Sequence, residues 1–193
     1  MMTEQQWDLK LKIQTMGIED THADLHHNRC EPTPYAVLER LVESGYVTKD
    51  SKWIDYGCGK GRVGFYFHHR TGCRVSGVEC DPDVYAQALQ NQISYGSDQV
   101  TVHCGKAEAF PVGDADHFYF FNPFSVEILR AVLRYIMASW YENPRTMRLL
   151  FYYPTDDYLT ELMTSDFALL DKIDCRDIFF GDDSRENIII LQV

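Results

Sequence analysis

Short apolar runs alternate with amphipathic stretches along most of the chain. Ser51–Tyr56, Cys73–Glu79, Gln99–Cys104, His117–Phe121 and Arg148–Tyr153 are brief, rich in β-branched or aromatic residues, and bounded by turn formers. That pattern predicts strands. Leu170–Phe179 and Asn187–Val193 predict two more. Between them the apolar period changes to that of a helix. Tyr35–Glu43 places Val37, Leu38, Leu41 and Val42 on one face, and Gly61–His69, Pro82–Ser94, Val126–Trp140 and Thr155–Met163 follow successive strands. Pro82 suits a first helical turn. Ser125 stands where an N-cap is expected, as does Thr155 or Asp156.

Strand–helix alternation predicts an α/β fold: one doubly wound, mostly parallel, seven-stranded sheet with helices on both faces. No helix separates the last two strands. The turn Gly181-Asp182-Asp183-Ser184 predicts a C-terminal hairpin there, with one strand antiparallel. In such sheets ligands bind beyond the carboxyl ends of the strands. The loops after Tyr56, Glu79, Cys104, Phe121 and Tyr153 are therefore the candidate site.

Composition narrows this picture. The chain has 193 residues, 45% hydrophobic and 24% charged, enough for one domain with a sizeable core. No apolar run approaches the roughly 18 residues needed to span a bilayer. Met1 to Ile18 lacks the layout of a signal peptide, so a cytoplasmic location without membrane association is expected. None of the six cysteines forms a Cys-x-x-Cys pair, and all read as free thiols, mostly in the core. The formal net charge of −11 repels a phosphate backbone, and no basic run offsets it. Duplex DNA is not an expected partner.

The segment Asp55-Tyr56-Gly57-Cys58-Gly59-Lys60-Gly61-Arg62 carries the clearest chemistry. Gly57 and Gly59 permit a tight strand-to-helix turn, and Gly61 opens a helix whose N-terminal N–H groups face a ligand. A dinucleotide fingerprint needs a glycine at position 62, which is Arg62, so that match fails. Cys58 is expected to pack within the turn. Glu79 ends the second predicted strand, where a carboxylate can accept hydrogen bonds from two ribose hydroxyls. Glu79 and Asp81 could also simply cap the helix starting at Pro82.

In the pattern acidic-x-Gly-x-Gly-x-Gly followed by Glu79, the chain resembles class I S-adenosylmethionine (SAM)-dependent methyltransferases. The resemblance implies one methyltransferase domain over 1–193, with a Rossmann-like core at 35–193 and a lid or cap segment at 1–34. It implies that SAM is the cofactor and S-adenosylhomocysteine the product. Asp55 would help hold the methionine amino group, Gly57, Cys58, Gly59 and Gly61 would cradle the cofactor, and Glu79 would bind its ribose. In Gly105-Lys106-Ala107-Glu108, Lys106 departs from the family's usual acid. Ala107 would supply backbone contacts, and Glu108 would serve the adenine edge or act as a first-turn helix carboxylate.

The run Asn122-Pro123-Phe124 resembles the Asn/Asp-Pro-Pro-aromatic motif of amino-methyltransferases, with one proline missing. By that resemblance Asn122 would also touch the cofactor, Asn122 and the Pro123 carbonyl would accept hydrogen bonds from a target amino group, and Phe124 would stack on it. The plain alternative is a strand-ending turn with Phe124 in the core. Thr33-Pro34 is similar to a segment that closes over SAM in the same enzymes. Thr33 would touch the cofactor or cap a helix, and Tyr35 would line the acceptor pocket. Tyr153 would hold a planar acceptor, or else one of Tyr152 and Tyr153 lies in the core and the other at the surface.

The expected activity is methyl transfer to an acceptor that the sequence leaves open: an amino or amide nitrogen of RNA, protein or a small molecule. A binding module on the same fold, without turnover, is the alternative. His22, His26, His27 and Cys30 crowd one segment, but no second cluster completes a closed metal site, and no metal is expected.

Overall fold

The structure is a computed structural model that describes residues 2–17 and 31–193. Seven strands form one sheet: β1 (Lys52–Tyr56), β2 (Arg74–Glu79), β3 (Val100–Cys104), β4 (His117–Phe120), β5 (Arg148–Tyr152), β6 (Ala168–Asp174) and β7 (Asn187–Gln192). Their order is β3-β2-β1-β4-β5-β7-β6. β1 pairs in parallel with β2 and β4, which pair in parallel with β3 and β5 respectively. β7 is antiparallel to both β5 and β6, as the helix-free C-terminal turn predicted.

Helices α1 (Glu4–Leu11), α2 (Tyr35–Glu43), α3 (Arg62–Thr71), α4 (Pro82–Tyr95), α5 (Val126–Glu142) and α6 (Asp156–Met163) pack on both faces. Trp53, Leu38, Phe65 and Ile190 belong to the core on one side. Ile54, Phe118, Leu129 and Phe151 belong to the core on the other. All four residues of β4 are buried, as expected of a central strand covered on both faces.

The caps follow local chemistry. Asp81 accepts from the Asp83 and Val84 amides and so caps α4 itself, which leaves Glu79 for other work. Thr155 caps α6 through the Tyr158 amide. Ser125 occupies the α5 N-cap position, yet its hydroxyl makes no capping bond.

Three sequence expectations need correction. α1 was not foreseen; it opens with a Thr3–Gln6 capping box and buries Trp7, Asp8 and Leu11. β6 ends at Asp174 rather than continuing to Phe179, because the Asp174 carboxylate accepts the Arg176 amide and turns the chain into a 3-10 turn at Arg176–Ile178. Thr33 does not cap α2, whose N-cap position is Pro34. Of the described cysteines, Cys58, Cys73 and Cys175 are buried, Cys80 and Cys104 are exposed, and no disulfide joins any of them. Among the described residues no helix is long and apolar enough to cross a membrane.

Candidate cofactor and active site

The carboxyl ends of β1, β2, β4 and β5 meet at one edge of the sheet. There the Gly57 and Cys58 amides both donate to the Val78 carbonyl, at 2.9 and 3.1 Å, and carry the β1–β2 ladder into the turn. The Gly61 amide closes the turn on the Cys58 carbonyl at 2.8 Å. Gly57 has φ +69°, and a Cβ there would sit 2.2 Å from Pro123 Cβ. The glycine turn and the Asn122-Pro123 turn therefore touch at a point with no room for a side chain. Cys58 is buried against Gly77 of β2, in keeping with a packing role.

Two buried carboxylates flank this turn. Glu79 accepts the Gly59 amide at 3.0 Å through one oxygen, and the Cys80 and Asp81 amides at 2.8 and 2.9 Å through the other. These bonds tie the end of β2 to the glycine turn. They leave lone-pair capacity on a carboxylate that can accept about four bonds. Asp55 is 3% exposed, and no donor among the described residues reaches its Oδ2. Burial, with a further contribution from the Glu79 charge, pushes its carboxyl up to about 8. Such an orphaned acid suits a ligand that brings its own cation and donors.

Beside Asp55 on β4, the Tyr119 hydroxyl lies 3.0 Å from Thr33 Oγ1, and burial holds this phenol well above its ordinary range. Thr33 thus reaches the neighbourhood of Asp55 by way of Tyr119. Beyond β3 the Gly105 amide donates to the Glu79 carbonyl, and Ala107 and Glu108 follow in a 3-10 turn. Both are half-buried.

At the ends of β4 and β5 two residues other than glycine adopt left-handed backbone, Asn122 at φ +42° and Tyr153 at φ +51°. Strain of this kind concentrates at functional sites. The Asn122 amide holds the two loops together: Nδ2 donates to the Tyr153 carbonyl at 2.5 Å, and Oδ1 accepts the Thr155 amide at 3.3 Å. Tyr153 is half-buried. Its hydroxyl donates to Asp183 at 2.6 Å, and the Arg185 guanidinium lies 4.4 Å from its ring. Tyr152 is the core member of the pair.

Two assignments do not fit the geometry. Phe124 is 4% exposed and packs edge-on to Phe120, so its ring lies in the core instead of facing an acceptor. Tyr35 is 1% exposed, stacks on Trp7 and donates its hydroxyl to Asp8 at 2.6 Å, so it does not line an acceptor pocket. His22, His26, His27 and Cys30 lie outside the described residues.

Sequence reasoning missed the role of Arg62, which is 4% exposed and bonded to the N-terminal segment. It also missed Asn91, although an asparagine on the apolar Val84–Ala88 stripe of α4 is a legible signal.

Residues 54–141 match the family model described as a methyltransferase domain. No curated protein sequence matches the chain. Among solved structures, the fold resembles an RNA methyltransferase from Salinibacter ruber in complex with S-adenosyl-L-homocysteine. The TM-score is 0.59 at 19% identity, over 84% of this chain and 94% of that one. It also resembles a TehB-like SAM-dependent methyltransferase from Corynebacterium glutamicum, with TM-score 0.58 and 17% identity over 80% and 85% of the two chains. A third similar structure is the magnesium protoporphyrin IX methyltransferase of Synechocystis with bound SAH, with TM-score 0.56 and 16% identity over 82% and 79%. The chain thus has the fold of class I SAM-dependent methyltransferases, and its residues 54–141 match a methyltransferase-domain model.

Proposed function

We propose that this protein binds SAM in the Asp55–Gly61 turn and transfers its methyl group to an amino or amide nitrogen of RNA, a protein or a small molecule. One observation carries the cofactor reading: two buried carboxylates, Asp55 and Glu79, flank a glycine turn at the carboxyl edge of the sheet, and Asp55 Oδ2 lacks a donor among the described residues. Asp55 would meet the methionine ammonium, Glu79 the ribose hydroxyls, and Ala107 and Glu108 the adenine edge. Bound SAM supplies a sulfonium-activated methyl group. The chain's part is to orient donor and acceptor and to exclude water. Asn122 braces the Tyr153 and Thr155 backbone, and Tyr153 would be the ring that meets an acceptor.

Calorimetry with SAM and with NADH tests the cofactor, and a folded protein that ignores SAM would sink the proposal. Glu79→Ala is expected to weaken SAM binding by about 1–3 kcal/mol through loss of charged hydrogen bonds. Unchanged affinity would confine Glu79 to holding the glycine turn.

A second reading, SAM binding without turnover, is favoured by one feature: Pro123 and Phe124 are packed against the fold and the Asn122 amide bridges two loops. Labelled methyl transfer from SAM to fractionated cell extract separates the two. Incorporation into one fraction identifies an enzyme and its acceptor class, and binding with no incorporation leaves a sensor.

A further inference from the structure

We propose that residues 14–16 form part of the wall of the cofactor cleft, and that Asn91 and Arg62 are the positioning residues that hold them there. The inference rests on the reading of Asp55–Gly61 as a SAM turn.

Arg62 stands in the first turn of α3, directly after the glycine turn. A cation there opposes the helix dipole, and no acid in the first turn compensates. A guanidinium only 4% exposed needs partners to be tolerated. It finds them in the N-terminal segment. It donates to Glu4, to Thr15 Oγ1 at 2.6 Å and to the Thr33 carbonyl at 3.2 Å, and it lies 4.4 Å from the Tyr35 ring. Asp8 completes the set. It is buried 3.9 Å from Arg62 and accepts the Thr15 amide, the Thr15 hydroxyl and the Tyr35 hydroxyl. The arginine that displaces the third dinucleotide glycine is thus committed to Glu4, Asp8, Thr15, Thr33 and Tyr35.

A second anchor lies across the turn on α4. Asn91 is 5% exposed. Its Oδ1 accepts the Gln14 amide at 2.8 Å, and its Nδ2 donates to the Gln14 carbonyl at 3.0 Å. The carboxamide thus pairs with Gln14 as a neighbouring strand would. The same Nδ2 donates to the Lys60 carbonyl at 2.9 Å, inside the glycine turn, and Lys60 Nζ in turn donates to the Met16 carbonyl at 3.2 Å. Residues 14–16 are therefore fastened from α3, from α4 and from the turn between them. A ligand cradled by the turn meets this segment, so releasing the segment exposes the ligand and speeds its escape.

The test is SAM binding by the full chain, with affinity and dissociation rate measured well below each variant's unfolding midpoint. Asn91→Ala, which removes all three bonds, is expected to weaken SAM about tenfold or more, chiefly through a faster off-rate. Asn91→Asp keeps the acceptor for the Gln14 amide but turns a carboxylate oxygen on the Gln14 and Lys60 carbonyls, so it should not recover the loss. Arg62→Lys keeps the charge but not the planar fork, and should also speed release. In the wild type, SAM should slow hydrogen exchange at the 14–16 amides.

A purely structural role would lower the unfolding midpoints and leave the off-rates alone. Wild-type off-rates in Asn91→Ala, or exchange at 14–16 indifferent to SAM, would overturn this inference alone. A wild type that does not bind SAM would overturn it together with the cofactor reading. The exchange measurement needs no variant, so a failure of Asn91→Ala to fold still leaves a deciding result.

Discussion

Gly57→Ala is expected to cost about 3 kcal/mol of stability and to abolish measurable SAM binding, whereas Gly96→Ala costs only about 1 kcal/mol and leaves binding intact. Both glycines have left-handed backbone, at φ +69° and +76°. Both substitutions therefore carry the ordinary penalty of about 1–2 kcal/mol for a side chain in that region. They differ in what the new methyl would meet. At Gly96, the C-cap of α4, nothing lies within 4 Å. At Gly57 the methyl would sit 2.2 Å from Pro123 Cβ, so either the glycine turn or the Asn122-Pro123 turn must shift. Overpacking of this kind adds about 1–3 kcal/mol. A shifted turn also misplaces the Gly59 amide that bonds Glu79. Urea midpoints and calorimetry on the two variants check this. Equal stability losses would remove the Pro123 contact as the cause.

That contact joins the two motifs read most closely from the sequence, and nothing in either motif announces it. The glycine turn was legible because its constraints are local: a strand, a tight turn and a helix in one stretch of chain. The order of strands and helices was legible for the same reason, since each element shows its own period. The antiparallel end of the sheet followed from the absence of a helix between β6 and β7.

What escaped depends on partners far away in sequence. α1 has few apolar residues and is held through Asp8, Thr15 and Arg62, and the Thr15–Arg62 bond spans 47 positions. Only its Thr3-x-x-Gln6 box was visible locally. Tyr35 and Phe124 were placed by analogy with motifs, and burial decided otherwise. In β4 every residue is buried, so no alternation could have told which ring faces the site. Asn122 is a residue type that tolerates left-handed backbone, and its placement at a strand end was foreseeable. The matching left-handed backbone at Tyr153, whose carbonyl accepts the Asn122 amide, was not.

The orphaned oxygen of Asp55 leads to the second large effect, a proton released when SAM binds. With its carboxyl raised to about 8 by burial, Asp55 is mostly protonated at pH 7 in the free protein. An ammonium partner favours the ionised form, so SAM binding must expel that proton. Affinity should then rise with pH by up to about tenfold per unit between roughly pH 6 and 8, and level off above.

The same group sets a stability slope of definite sign. The folded state holds the proton more tightly than the unfolded state, whose carboxyl titrates near 3.8. Asp55 therefore contributes fully to stability below pH 3.8, and that contribution is lost as pH rises towards about 8. Asp55→Asn cannot titrate and should lack both trends. Its SAM affinity should be flat with pH, and its stability relative to wild type should grow from pH 4 to pH 8. The measurements are calorimetric titrations in buffers of differing ionisation enthalpy, which count the protons released, and urea midpoints across the same range. No proton release in the wild type, or parallel stability curves for the two proteins, would mean that Asp55 is ionised before the ligand arrives. Its partner would then have to lie in the protein itself.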